Sequence, residues 1–155
     1  MADREADRAD EFTVFVEHVE PRLRQALVSV CGTERARDAV ADGLAYAWQH
    51  WDRVRAMDNP AGYVYRVARS RTRLRRTRTV FPEVAGDVRD VEPALPGALA
   101  RLPERQRVAV LLVHGWDWRH EDVAELMGVS VSTVRNHLAR GLDKLRTELG
   151  VPAHG

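Results

Sequence analysis

Ser132, Thr133, Arg135, Asn136 and Arg140 fall within nine consecutive residues, 132–140. Arginine and asparagine offer the two-pronged hydrogen bonds that read guanine and adenine edges in a duplex. Serine and threonine at a helix start hold phosphates and fix register. Val131, Val134, Leu138, Leu142, Leu145 and Leu149 recur at three and four around them, which predicts a helix with a buried stripe. On such a helix Ser132, Thr133, Asn136 and Arg140 point away from the core. Arg135 lies at the flank, and His137, Lys144 and Arg146 can reach the duplex backbone. The chemistry these residue types support is sequence readout of double-stranded DNA.

Two further groups stand upstream. Residues 61–80 hold seven arginines and no acid, although the whole chain has a net charge of +1. Arg66, Arg69, Arg73 and Arg76 recur at three and four as a basic stripe on one helix. The stripe either grips phosphates or is a solvated helix end paired with acidic neighbours. Tyr63 and Tyr65 beside it supply flat rings for stacking on unpaired bases. Asp38 and Asp42 lie one turn apart, opposite an apolar face, and read as solvated surface or as a protein-docking edge.

Catalytic chemistry is not indicated. His120-Glu121 is followed by Ala124, so the zinc-protease pattern is broken. No phosphate loop, nucleophile elbow or Cys–His cluster occurs, and no metal site or cofactor is expected. The single cysteine, Cys31, rules out an internal disulfide and a Cys-rich zinc site, and reads as a packed thiol. The longest apolar run, residues 108–113, is far short of the roughly 20 residues that span a membrane. The charged start has no apolar signal core, and a cytoplasmic location with no membrane insertion is expected.

The elements that must carry these groups are all helical. Phe12, Phe15, Val16, Val19, Leu23, Ala26, Leu27 and Val30 give a first helix, with Pro21 predicting a kink or break near Glu20. Ala36, Ala39, Val40, Gly43, Leu44, Ala47, Trp48 and Trp51 give a second. Asn59-Pro60 starts a third, to about Arg76. Residues 79–98 turn acidic and rich in Pro and Gly and read as a linker, with a short helix at about 95–102. A helix from Leu102 to His114, a short one at 121–126, a turn with Gly128 in the left-handed region, and a final helix capped by Ser130 complete the chain. Ala124, Gly128 and Val134 are spaced as in a helix-turn-helix. The expected fold is all-α: a helical domain over 11–78, the linker over 79–98 and a helix-turn-helix domain over 99–150. No residue settles whether the two domains pack together.

Three segments in this order resemble the small extracytoplasmic-function sigma factors of bacterial RNA polymerase, most closely the compact actinobacterial subgroup. They are Ala47-Trp48-Gln49-His50-Trp51-Asp52-Arg53, Met57-Asp58-Asn59-Pro60-Ala61-Gly62-Tyr63-Val64, and Leu102-Pro103-Glu104-Arg105-Gln106-Arg107 followed by Val131-Ser132-Thr133-Val134-Arg135. The resemblance implies a transcription initiation factor that binds core RNA polymerase and directs it to promoter DNA. Carried over by position, Asp38, Asp42, Leu44 and Trp48 would dock on polymerase. Tyr63, Arg66, Arg69, Ser70 and Arg73 would capture the separated minus-ten strand. Ser132, Thr133, Arg135, Asn136, Arg140 and Lys144 would read the minus-thirty-five duplex. An anti-sigma or other regulatory protein is a further partner the resemblance admits. The family carries Gln at the position of Ala41 and Asn at that of Ser70, and both differences touch docking and minus-ten reading.

Two other readings remain open at this point. Thr133 to Leu138 also resembles the recognition helix of response-regulator output domains, which bind DNA without touching polymerase. A degenerate sigma homologue could instead serve as a protein-binding module that holds a partner without starting transcription.

Overall fold

The computed structural model describes residues 1–72 and 93–152. Its elements are helices α1 (Ala2–Cys31), α2 (Thr33–Gln49), α3 (Trp51–Val54), α4 (Pro60–Thr72), α5 (Leu95–Arg101), α6 (Glu104–Val110), a π-helical turn (Leu111–Gly115), α7 (His120–Met127) and α8 (Val131–Leu149). No strand occurs among the described residues. The all-α expectation holds.

Helices α1, α2 and α4 form the first unit. Leu23, Leu27, Val54, Val64 and Ala68 are fully buried between them. Gly43 lets α2 and α4 meet closely, since a side chain there would come within 2.9 Å of the Ala68 methyl. Trp51 sits under Phe12 and Phe15, with ring centroids 5.1 and 5.0 Å away. The predicted break at Pro21 does not occur, and α1 runs unbroken through it. Proline removes one backbone donor, but Val19, Leu23, Ala26 and Leu27 bury one stripe across the site, and Arg24 donates to Glu20 at 2.7 Å over it. The helix also starts well before Phe12 and includes the charged first residues.

Helices α5 to α8 form the second unit. The short helix expected at 95–102 is α5, packed on α8. The helix expected from Leu102 to His114 begins at Glu104 and widens into the π-helical turn after Val110, a change of period that residue types did not reveal. Trp116 N–H then bonds to Leu111 O and Trp118 N–H to Leu112 O, which turns the chain toward the first unit. Helices α7 and α8 make the helix-turn-helix: Gly128 is left-handed at φ 68, Ser130 Oγ accepts from Thr133 N–H at 3.1 Å, and Val134 is fully buried. The end of the third predicted helix (73–76) and most of the predicted linker (79–92) lie outside the described residues.

The two units share one apolar core and a polar seam. Arg107 is the clearest tie. Its side chain is buried, donating from Nε to Ser29 O at 2.8 Å, from Nη2 to Val30 O at 2.9 Å and from Nη1 to Leu102 O at 2.9 Å. Gly32 N–H takes Val28 O and the Cys31 thiol takes Leu27 O. The Val28, Ser29 and Val30 carbonyls in the last turn of α1 thus all find donors, two of them from a residue nearly eighty positions away. A guanidinium at a helix C-terminus also meets the negative end of the helix dipole. Burial holds the Arg107 pKa below the usual guanidinium range.

Candidate nucleic-acid and protein interfaces

The final helix presents its outer face to solvent. Ser132, Arg135, Asn136, Arg140 and Lys144 are exposed, while Val134, Leu138, Gly141 and Leu145 face the core. Thr133 is half-buried because its hydroxyl lies 2.8 Å from Ser130 Oγ, inside the cap. None of Arg135, Asn136, Arg140 and Lys144 is spent on an ion pair among the described residues. α8 packs on α5, α6 and α7 of its own unit, and its outer face stays exposed with the two units packed together. His137 is turned inward, and its Nε2 is buried without a hydrogen-bond partner. Burial, with Arg105 and Arg140 adding to it, holds its pKa below the usual imidazole range.

The arginine stripe on α4 divides. At about 100° per residue, Tyr63, Arg66 and Ser70 share one face, and Arg69 lies well round from it. Arg66 and Ser70 are exposed and Tyr63 half-exposed. Arg69 points into the seam, where Nε donates to Glu104 Oε2 at 2.6 Å. Arg73 and Arg76 lie outside the described residues. Tyr65 does not supply a stacking surface: it is 4% exposed, and burial raises its phenol pKa. Two residues, or about 200° around the helix, separate it from the face of Tyr63, a distinction the run of residue types alone does not make.

Tyr63 belongs to a cluster built by three helices. Its hydroxyl is 3.3 Å from that of Tyr46 on α2. Arg53 on α3 donates to both, at 2.7 Å to Tyr63 and 3.1 Å to Tyr46. Its guanidinium and that of Arg66 lie 5.8 and 5.9 Å from the Tyr63 ring centroid. His50 stacks on Tyr46 at 4.1 Å. The hydrogen bond from Tyr46 and the two arginines lower the Tyr63 pKa. Sequence reasoning found Tyr63 and Arg66 but not Tyr46, His50 and Arg53, whose spacing of four and three is helical and was the available signal.

The residues grouped on α2 do not share a face. Asp38 and Asp42 are exposed, and with Glu34, Arg35 and Arg71 they line a hollow of about 260 Å³. Leu44 and Trp48 lie on a different side, half-buried. Trp48 is covered by Phe12 at 5.1 Å and by the Arg8 guanidinium at 4.3 Å.

The seam between the units is made by side chains that also organise their own elements. Asn59 Oδ1 caps α4 by accepting from Gly62 N–H at 2.9 Å, while its Nδ2 donates to Glu125 O of α7 at 2.7 Å. Trp118 Nε1 donates to Gln25 at 2.7 Å, under the Arg22 guanidinium at 5.5 Å, and Arg22 reaches Asp122 at 3.8 Å.

Cys31 is buried, and desolvation pushes its thiol up to about 11. That is the packed thiol expected from sequence, since a reactive one needs the opposite shift. Among the described residues no three His, Cys, Asp or Glu side chains are grouped to hold a metal ion. No helix of the described residues is long and apolar enough to cross a membrane.

Residues 15–79 match Sigma-70 region 2, and residues 94–145 match Sigma-70, region 4. The chain is 27% identical over 146 residues to the ECF RNA polymerase sigma factor EcfG of Rhodopseudomonas palustris, covering 84% of this chain and 81% of that one. It is 28% identical over 164 residues to the ECF RNA polymerase sigma factor RpoE of Cereibacter sphaeroides, covering 92% and 90%. Its fold is similar to the sigma factor RpoE solved in complex with the anti-sigma factor NepR from Bartonella quintana. The TM-score there is 0.65 at 22% identity, over 92% of this chain and 99% of that one. Both regions in one chain do not favour a regulator without polymerase contact or a bare protein-binding module.

Proposed function

Because the chain belongs to the sigma-70 family, as an ECF-type sigma factor that directs RNA polymerase to promoters, we propose a division of that work among its surfaces. The outer face of α8 reads the minus-thirty-five duplex through Arg135, Asn136 and Arg140. Ser132, Thr133 and Lys144 contact the backbone. Tyr63, Arg66 and Ser70 on one face of α4, together with Arg73, capture the separated minus-ten strand, with Arg69 joining once it leaves Glu104. Asp38 and Asp42 meet polymerase as an acidic edge. Leu44 and Trp48 contribute after the α1 N-terminal turns that cover Trp48 have shifted. The polymerase performs the chemistry, and this chain acts in the cytoplasm as a non-catalytic initiation factor.

The observation that carries this reading is the α8 face: a capped recognition helix whose Arg135, Asn136 and Arg140 are exposed and without a partner among the described residues, leaving their hydrogen bonds for a duplex. An anti-sigma protein is proposed as the restraining partner. The support is the fold shared with the RpoE chain that was solved with NepR. The compact actinobacterial subgroup is proposed from the three sequence segments alone.

The test is run-off transcription with purified core polymerase over genomic promoter fragments, with and without this protein. Discrete new transcripts that share an upstream motif at fixed spacing are expected. Normal promoter-specific transcripts from an Arg135→Ala/Arg140→Ala double variant would overturn the assignment of the α8 face.

A further inference from the structure

Residues 2–11 form the first turns of α1 and precede the segment, 15–79, that matches Sigma-70 region 2. This arm carries no apolar residue larger than alanine. Residues 2–7 are exposed. Two side chains tie the arm across to the corner between α2 and α3. Arg8 lies over the Trp48 ring at 4.3 Å, donates to Trp48 O at 2.9 Å and stands 3.6 Å from Asp52. Glu11 takes Arg55 at 2.7 Å. Both ties are open to water, with Arg8 26% and Glu11 52% exposed. A short charged helical overhang without a buried stripe is held by what it touches, so this arm belongs to the low-stability end of the fold. It nevertheless occupies a ring on the surface that polymerase docking needs. One face of an indole takes the arm's guanidinium or a partner's side chain, not both.

We propose that residues 2–11 are a releasable strap, fastened over Trp48 by Arg8 and Glu11, and that core RNA polymerase seats on the Trp48 side of α2 only once the strap has let go. This deepens the docking reading of Leu44 and Trp48 and rests on it. While the strap is fastened the chain is withheld from polymerase, so the apparent affinity is the intrinsic one scaled by the open fraction. Phe12, just beyond the arm, stays in place against Trp51 and marks where the release stops. The fastening uses one cation and one anion. Removing either opens the strap, although one change makes the chain more acidic and the other less. A general effect of charge on polymerase binding would move the two in opposite directions.

The strap is tested on the full-length chain by surface plasmon resonance over immobilised core polymerase. Arg8→Ala is expected to bind about fivefold tighter and Glu11→Gln about threefold tighter, since loss of a cation–π contact or of an exposed ion pair raises the open fraction. Asp3→Asn, which removes a charge from an exposed position of the arm, should leave the affinity unchanged. Hydrogen exchange adds a direct reading of the arm. Amides of residues 6–11 should exchange faster in the polymerase complex than in the free chain, the opposite of what contact with a partner produces. Weaker binding by both fastening variants, or slower exchange of the arm in the complex, would overturn the strap and make the arm a polymerase contact. Affinities that follow net charge across the three variants would overturn it as well. Trp48→Ala separates the strap from the reading beneath it. Weakened binding in Trp48→Ala with no gain from Arg8→Ala or Glu11→Gln would remove the strap and keep the docking surface. Unchanged binding in Trp48→Ala would remove the docking surface and the strap with it.

Discussion

Arg69 Nε donates to Glu104 Oε2 at 2.6 Å, joining α4 in region 2 to the first turn of α6 in region 4. The side chains are 23% and 28% exposed, so the pair is partly shielded from water. In this arrangement an arginine proposed to hold DNA is neutralised by the chain's own carboxylate.

Glu104→Gln keeps the shape and removes the competing charge. A half-shielded pair is worth about 1 kcal/mol, so single-strand affinity should rise about fivefold. The gain should shrink at high salt, which screens both contacts. Titration of a labelled single strand at two salt concentrations checks this. An unchanged affinity would mean that Arg69 stays committed to the seam when DNA binds.

The Arg107 guanidinium serves three buried carbonyls. Arg107→Met preserves the stem and leaves Ser29 O, Val30 O and Leu102 O without a donor. Hydrogen bonds from a charged group contribute about 1.5–3 kcal/mol each, and relaxation recovers part of the loss. A net destabilisation of about 3 kcal/mol follows, or about 10 °C in melting temperature for a chain of this size. Arg107→Lys should recover less than half of it, because an ammonium cannot span three carbonyls in the fork geometry. Thermal denaturation followed by circular dichroism gives both numbers.

How much of this was legible in the sequence depends on the range of the interaction concerned. The helix-turn-helix could be read because its signals are local: the Ser130 cap, the left-handed Gly128 and the period of Val134, Leu138 and Leu145 all act within a few residues. Arg107 could not be read. Its position inside an amphipathic helix carries no sign that it caps α1. Pro21 misled for the same reason, since burial on both sides outweighs the one lost donor. Tyr63 and Tyr65 are two positions apart and nearly identical in propensity, yet one faces solvent and the other the core. Only the packing of α4 against its neighbours separates them.

Duplex reading by α8 makes a prediction with two separable parts. Asn136→Ala should cost about 1–3 kcal/mol on the cognate minus-thirty-five duplex and relax the preference at one base pair, as loss of a two-pronged base contact does. Lys144→Ala should weaken binding to every duplex alike and lower the salt slope by about 0.9. Electrophoretic mobility shifts of the polymerase holoenzyme on a promoter set with single-base changes separate the two patterns. A uniform loss from Asn136→Ala would move that residue from base reading to backbone contact.

His137 links stability to pH. Its ring is half-buried, with Nε2 unpartnered and the Arg105 and Arg140 charges nearby, so the native state disfavours the imidazolium and the pKa is lowered. The unfolded chain, near the ordinary value of about 6.5, therefore binds more protons than the native one just below that pH. Stability rises with pH wherever the unfolded state holds the extra proton. The contribution is thus complete above pH 6.5 and is lost progressively as pH falls from there toward the lowered native value. His137→Leu removes the titration and fills the same half-buried space, so its denaturation midpoint should change less between pH 7.5 and 5.5 than that of the parent. Urea titrations at four pH values across this range measure the slope directly. Equal slopes in the two proteins would assign the acid sensitivity to a group other than His137.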